Sequence, residues 1–127
     1  MNPDADRFGG VGRLYGSAGL AALGQARVCV VGVGGVGSWV VEALARSGVG
    51  ALTLVDLDEV CITNVNRQLP ALDGVFGNFK VEEMAKRVKL IFPGCRVDAR
   101  TEFLNEKTCE SILSGGFEIV VDAIDKD

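Results

Sequence analysis

The sequence predicts an α/β protein built on a doubly wound, mainly parallel sheet. Three observations carry that expectation. The apolar, β-branched run Arg27-Val28-Cys29-Val30-Val31 leads straight into Gly32-Val33-Gly34-Gly35-Val36-Gly37, and an apolar, helix-like stretch follows. A second apolar run, Leu52-Thr53-Leu54-Val55, ends in Asp56. Beyond it strand-like and helix-like segments alternate with short turns, as parallel strands require, because each crossover must carry the chain back to the starting end of the sheet.

The first strand covers Arg27 to Val33, a run that reads as buried on both faces. The first helix covers Val36 to Ser47, with Trp39, Val40, Ala43 and Leu44 at core spacing and Gly48 as its stop. The second strand is Ala51 to Leu57. The polar stretch from Asp58 to Asn78 is too rich in turn formers to be one helix. A second helix spans Lys80 to Ile91, with Met84, Val88 and Ile91 inward and Pro93-Gly94 ending it. The third strand is Arg96 to Arg100. A third helix starts behind Asn105 as N-cap and stops at Gly115-Gly116, and the fourth strand is Phe117 to Ala123. Residues 1–24 lie outside the alternation and read as an N-terminal arm with a short helix; residues 25–127 read as the nucleotide-binding domain. An open sheet normally continues past a fourth strand, so a truncated domain, the first half of a longer one, is expected.

Composition narrows the function. The chain has 127 residues, 48% of them apolar, enough for one globular domain with a real core. A net charge of −4 gives no general pull on nucleic acid, so any RNA contact has to be local or made outside this chain. No apolar stretch is long enough to span a membrane, and no signal-peptide pattern opens the chain. Cys29, Cys61, Cys95 and Cys109 are scattered with no Cys-x-x-Cys pair, which argues against a zinc knot or a disulfide framework and fits a reduced, cytoplasmic setting. The chain has no histidine, which removes the commonest general base and metal ligand.

In a Rossmann-like sheet ligands sit at the carboxyl ends of the strands. That rule gathers the glycine turn, Asp56 with Asp58, and Asp122 to Asp127 on one rim. Gly32, Gly34, Gly35 and Gly37 let backbone N–H groups approach a phosphate, and the following helix turns its positive end to the same place. Asp56 stands where a ribose-binding acid is expected. Asn64, Arg67 and Lys80 then separate ATP from NAD: an amide, a guanidinium and an ammonium beyond the same strand suit a triphosphate and have no evident task with a nicotinamide. An NAD-dependent oxidoreductase and a non-catalytic nucleotide-binding module remain alternatives at this point.

Further motifs, in order, carry a resemblance to a known family. Gly32-Val33-Gly34-Gly35-Val36-Gly37, Leu54-Val55-Asp56-Leu57-Asp58, Asn64-Val65-Asn66-Arg67-Gln68, Lys80 and Val121-Asp122-Ala123-Ile124-Asp125 resemble the adenylyltransferases that include ubiquitin-activating enzymes and the sulfur-carrier activators of thiamine and molybdopterin synthesis. Arg7-Phe8-Gly9-Gly10 to Arg13-Leu14-Tyr15-Gly16, Gly35-Val36-Gly37-Ser38-Trp39, Asn64-Val65-Asn66-Arg67-Gln68 and Asp122-Ala123-Ile124-Asp125 are similar to the branch that dehydrates threonylcarbamoyladenosine at position 37 of tRNA. Asn66, where sulfur-carrier activators commonly have glutamine, favours that branch. The resemblance implies ATP and Mg2+ as cofactors and adenylation of a carboxylate as the reaction. It implies that Gly34 and Gly35 cradle phosphates, Asp56 holds the ribose, and Asn64, Arg67 and Lys80 grip the triphosphate. Asp125 is the implied magnesium ligand, Asp58 a second acid, and Arg67, Lys80 and Asp125 the catalytic set. It implies a homodimer, in which relatives send an arm arginine to the partner's nucleotide; that position is Gly10 here, with Arg7 and Arg13 the candidates to replace it. The implied partners are a tRNA, held mostly outside this chain, and a sulfur-transfer protein if the acceptor is instead a ubiquitin-like sulfur carrier.

Overall fold

A computed structural model describes residues 3–125. Four strands, β1 (Arg27–Val31), β2 (Ala51–Val55), β3 (Arg96–Arg100) and β4 (Ile119–Asp122), form one sheet in the order β3-β2-β1-β4. All three pairings are parallel, with Val28 opposite both Leu52 and Ile119. The helices are α1 (Pro3–Arg7), α2 (Gly9–Gln25), α3 (Gly37–Arg46), α4 (Lys80–Ile91) and α5 (Cys109–Leu113), and a short 3-10 turn covers Ile62–Asn64. Among the described residues, no helix is long and apolar enough to cross a membrane.

Side chains alternate across each strand, so the sheet has two apolar faces. Val28, Val30, Leu52 and Leu54 form the main core with Val41 and Ala45 of α3 and Val81, Met84 and Val88 of α4. Cys29, Val31 and Val55 face the other way and meet Ile112 of the short α5. The core face of α3 is therefore not the expected one. Trp39 is 55% exposed and Ala43 is exposed, while Val40 and Leu44 are only partly buried. The sequence is apolar on three consecutive positions, Trp39-Val40-Val41, so periodicity alone cannot choose the face. The indole decides it by donating its N–H to the Arg67 carbonyl at 3.0 Å, outside the core.

The helix ends follow local chemistry. Gly48 takes φ 88°, the left-handed geometry that stops α3, and the ring of Phe8 packs against it. Pro93 follows the Phe92 that closes α4. The third helix begins later than expected, because Asn105 closes a turn of its own: its Oδ1 accepts the N–H groups of Lys107 and Thr108, and α5 starts at Cys109. The region before β1 is helical, with a break at Gly16 (φ 78°) inside α2. Phe8, between α1 and α2, is buried and meets Phe92 edge-on with ring centroids 4.8 Å apart. Glu42 of α3 pins α4 by accepting Arg87 Nε at 2.6 Å and Nη2 at 3.0 Å; these bonds hold the Glu42 carboxyl below its ordinary range.

Candidate nucleotide site

The chain runs from β1 through β2 to β3 in one direction and then returns to place β4 on the far side of β1. Such a reversal opens a crevice above the carboxyl ends of the strands. An open cavity of about 660 Å³ lies there.

Its floor is the glycine turn. Gly32 takes φ 93°, and a Cβ there would lie 2.6 Å from the Ala123 carbonyl oxygen, so the position requires glycine on both counts. No side chain among the described residues caps the N-terminus of α3, and such an end carries partial positive charge. Ser38 locks the turn to the next segment, because its hydroxyl donates to the Gly34 carbonyl and accepts the Leu69 N–H.

Asp56 ties two loops together. Its Oδ2 accepts the Val33 N–H and its Oδ1 the Asp58 N–H, both at 2.8 Å. Each oxygen keeps lone-pair capacity for a ribose hydroxyl. Asn64 is buried and uses Oδ1 to accept the Cys61 N–H at 2.9 Å, which caps the 3-10 turn. Arg67 is held by its own segment, donating from Nη1 to the Thr63 carbonyl at 3.3 Å and to Asn66 Oδ1 at 3.0 Å. Its aliphatic stem lies against Gly35. Lys80 opens α4 and is buried. Its Nζ stands 3.9 Å from Asp58 Oδ2, and its backbone N–H bonds the Asp58 carbonyl at 3.0 Å.

The cavity brings together Gly32, Gly34, Asp56, Asp58, Asn64, Arg67, Lys80 and Asp125. Gly35 and Gly37 belong to the turn but do not line it; Gly37 instead packs against the Gly32 carbonyl. Arg13 is exposed on α2, away from the cavity, and Arg7 pairs with Asp4. Asp122 serves the strand end, accepting the Ile124 N–H at 3.2 Å. The sequence assigns no site role to two groups of lining residues. Gln68 sits in a motif without a task of its own, and of Glu102, Phe103, Leu104 and Asn105 only Asn105 has a reading, as a helix N-cap. The latter four follow the carboxyl end of β3, so the strand-end rule applied to that strand would have found them. Burial pushes the Cys29 and Cys95 thiols up, so neither is a thiolate nucleophile at neutral pH.

A glycine turn, a helix end without a side-chain cap and two cations thus meet around one crevice. The chain belongs to the ThiF family, whose model matches residues 11–126. It is 56% identical over 119 residues to the tRNA threonylcarbamoyladenosine dehydratase of Haemophilus influenzae, covering 94% of this chain and 46% of that protein. It is 50% identical to the Escherichia coli protein of the same name, again over 94% of this chain and 44% of that one. A crystal structure of the E. coli tRNA N6-threonylcarbamoyladenosine dehydratase in complex with ATP superposes with a TM-score of 0.97 at 48% identity, covering 99% of this chain and 52% of that one. The chain thus spans about half the length of these relatives.

Proposed function

We propose that the protein uses ATP to adenylate the carboxylate of threonylcarbamoyladenosine at position 37 of tRNA and converts it to the cyclic, dehydrated form. The observation that carries this reading is Lys80. Its side chain is 8% exposed, Lys80 lines the same cavity as Arg67, and its ion-pair partner among the described residues is only Asp58, at 3.9 Å. A buried cation with so distant a partner suits an incoming anion. The relatives named for the dehydration, and the ATP in the E. coli structure, support the choice of nucleotide and substrate.

In the first step a carboxylate oxygen attacks the α-phosphorus of ATP. The bond from that phosphorus to the oxygen bridging to the β-phosphorus breaks, and pyrophosphate leaves with the electron pair. Two anions have to meet: at ~4 Å and an effective dielectric of about 20, each unit pair costs roughly 4 kcal/mol. That repulsion alone would slow the step about a thousandfold. Arg67 and Lys80 offset it and stabilise the leaving pyrophosphate. No histidine base is required, because the nucleophile is already ionised. The substrate's own nitrogen or oxygen then attacks the acyl carbon, a proton leaves, and AMP is expelled as the ring closes.

Asp125 is the residue for magnesium. Among the described residues no group of three or more His, Cys, Asp or Glu side chains forms a cage. Asp125, one of the carboxylates on the cavity wall, fits an ion that completes its shell with phosphate oxygens and water. When bound, the ion adds positive charge at those oxygens. A homodimer completes the proposal, with the exposed Leu14 and Tyr15 of α2 as contact residues and Arg13 or Arg7 reaching the partner's nucleotide. A tRNA substrate places the reaction in the cytoplasm, in keeping with four unpaired cysteines.

Titration calorimetry of the full-length protein tests the nucleotide. ATP with magnesium is expected to bind far more tightly than NAD, since Asn64, Arg67 and Lys80 have no task with a nicotinamide. Tighter binding of NAD sinks the assignment.

A further inference from the structure

Ser38 and Trp39 lie in the first turn of α3, just past the glycine turn, and both reach across to the loop that carries Arg67. Trp39 donates its indole N–H to the Arg67 carbonyl at 3.0 Å, and the Ser38 hydroxyl accepts the Leu69 N–H at 3.3 Å. Arg67 spends its other bonds inside its own loop. Its guanidinium donates to the Thr63 carbonyl and Asn66 Oδ1, and its backbone N–H to the Asn64 carbonyl. Those bonds fix the arginine to the loop but not to the phosphate site. Among the described residues, the hydrogen bonds that tie residues 62–69 to an element outside the loop between β2 and α4 are those to Ser38 and Trp39. Burial does not account for the indole, which is more than half exposed. What it does hold is the backbone of Arg67, whose Cγ and Cδ lie 3.5 Å from where a Cβ on Gly35 would sit. The stem of Arg67 stays over the glycine turn only while that backbone is held there.

We propose that Trp39 is a positioning residue for Arg67: its indole N–H fixes the Arg67 backbone to α3, so that the guanidinium and the glycine turn face the same phosphates at a set spacing. The inference rests on the reading of Arg67 as a ligand of the triphosphate and adds the group that aims it. α3 then serves the nucleotide twice, through the partial positive charge at its end and through the indole one turn in. A loop already held in place spares the ordering that binding would otherwise require. An exposed hydrogen bond of this kind adds little to the stability of the fold, so its loss is read in binding.

The test is a double-mutant cycle in the full-length protein, read as ATP affinity by titration calorimetry. Trp39→Phe keeps an aromatic ring and loses the N–H. It is expected to unfold in urea together with wild type and to bind ATP roughly 3- to 10-fold more weakly, as for loss of one hydrogen bond. Arg67→Met alone is expected to weaken ATP by more than about tenfold, as for loss of a charged donor. The double variant is expected to bind ATP within about twofold of Arg67→Met alone, because no guanidinium is left for the indole to aim. Losses that multiply in the double variant overturn the inference, since the indole then acts independently of Arg67. Wild-type ATP affinity in Trp39→Phe overturns it as well, and weaker tRNA binding in that case assigns the ring to the substrate. A Trp39→Phe protein that unfolds at clearly lower urea overturns it by showing that the indole serves the fold. Arg67→Met that binds ATP like wild type is a different failure: it removes Arg67 from the phosphate site, and it is visible before the cycle is completed.

Discussion

Gly37→Ala is expected to destabilise the domain severely and to abolish ATP binding. The added Cβ would lie 1.6 Å from the Gly32 carbonyl oxygen and 3.3 Å from the Ala123 Cβ. A side chain could rotate away from such a clash, but this is backbone, held in place on both flanks. Gly32 N–H bonds the Val55 carbonyl at 2.8 Å, and Ala123 N–H bonds the Val31 carbonyl at 2.8 Å. Either α3 or the turn has to move. Overpacking costs about 1–3 kcal/mol in ordinary cores, and a backbone clash belongs at or above the top of that range. That is a large part of the roughly 5–15 kcal/mol that holds a domain folded. Gly34→Ala is the contrast, because its Cβ would meet Gln68 Nε2 at an ordinary 3.5 Å. It should melt with wild type while weakening ATP, since the new methyl stands where a phosphate approaches. Urea unfolding and calorimetry on both variants check the pair, and a Gly37→Ala protein as stable as wild type contradicts the account of the turn.

Lys80→Met is expected to remove adenylation while leaving the domain folded. The ammonium is buried and its partner Asp58 is 3.9 Å away and largely exposed, so the empty protein loses little when the charge goes. The loaded protein loses the cation that offsets one anion–anion pair, worth about a thousandfold in rate. Radiolabel exchange of pyrophosphate into ATP in the full-length protein reads that loss directly. Exchange at the wild-type rate removes Lys80 from the mechanism.

Most of the sheet was legible because its strands are apolar runs that end at glycines or acids. β3 falls on Arg96–Arg100 as read, and α4 on Lys80–Ile91. β1 and β2 each end two residues earlier than read: the Gly32 and Asp56 N–H groups make the last ladder bonds, to the Val55 and Arg100 carbonyls, and the Val33 N–H then turns to the Asp56 carboxylate. The helical structure from Pro3 to Gln25 was hidden by its glycines, Gly9, Gly10, Gly12, Gly16, Gly19 and Gly24, which depress helix propensity. Phe8 anchors it by packing into the core, a long-range contact that no local pattern records. The cations and acids of the site were legible because charge type and strand-end position are both sequence properties. The unpaired acceptor of Gln68 was not, since only the fold reveals that no donor among the described residues reaches it.

The central claim is the conversion of threonylcarbamoyladenosine in tRNA. Its most direct test is mass spectrometry of nucleosides digested from tRNA that has been incubated with the full-length protein, ATP and magnesium. The predicted result is a nucleoside lighter by one water, formed together with AMP and pyrophosphate. An unchanged nucleoside, with AMP instead attached to the C-terminus of a small sulfur-carrier protein, contradicts it.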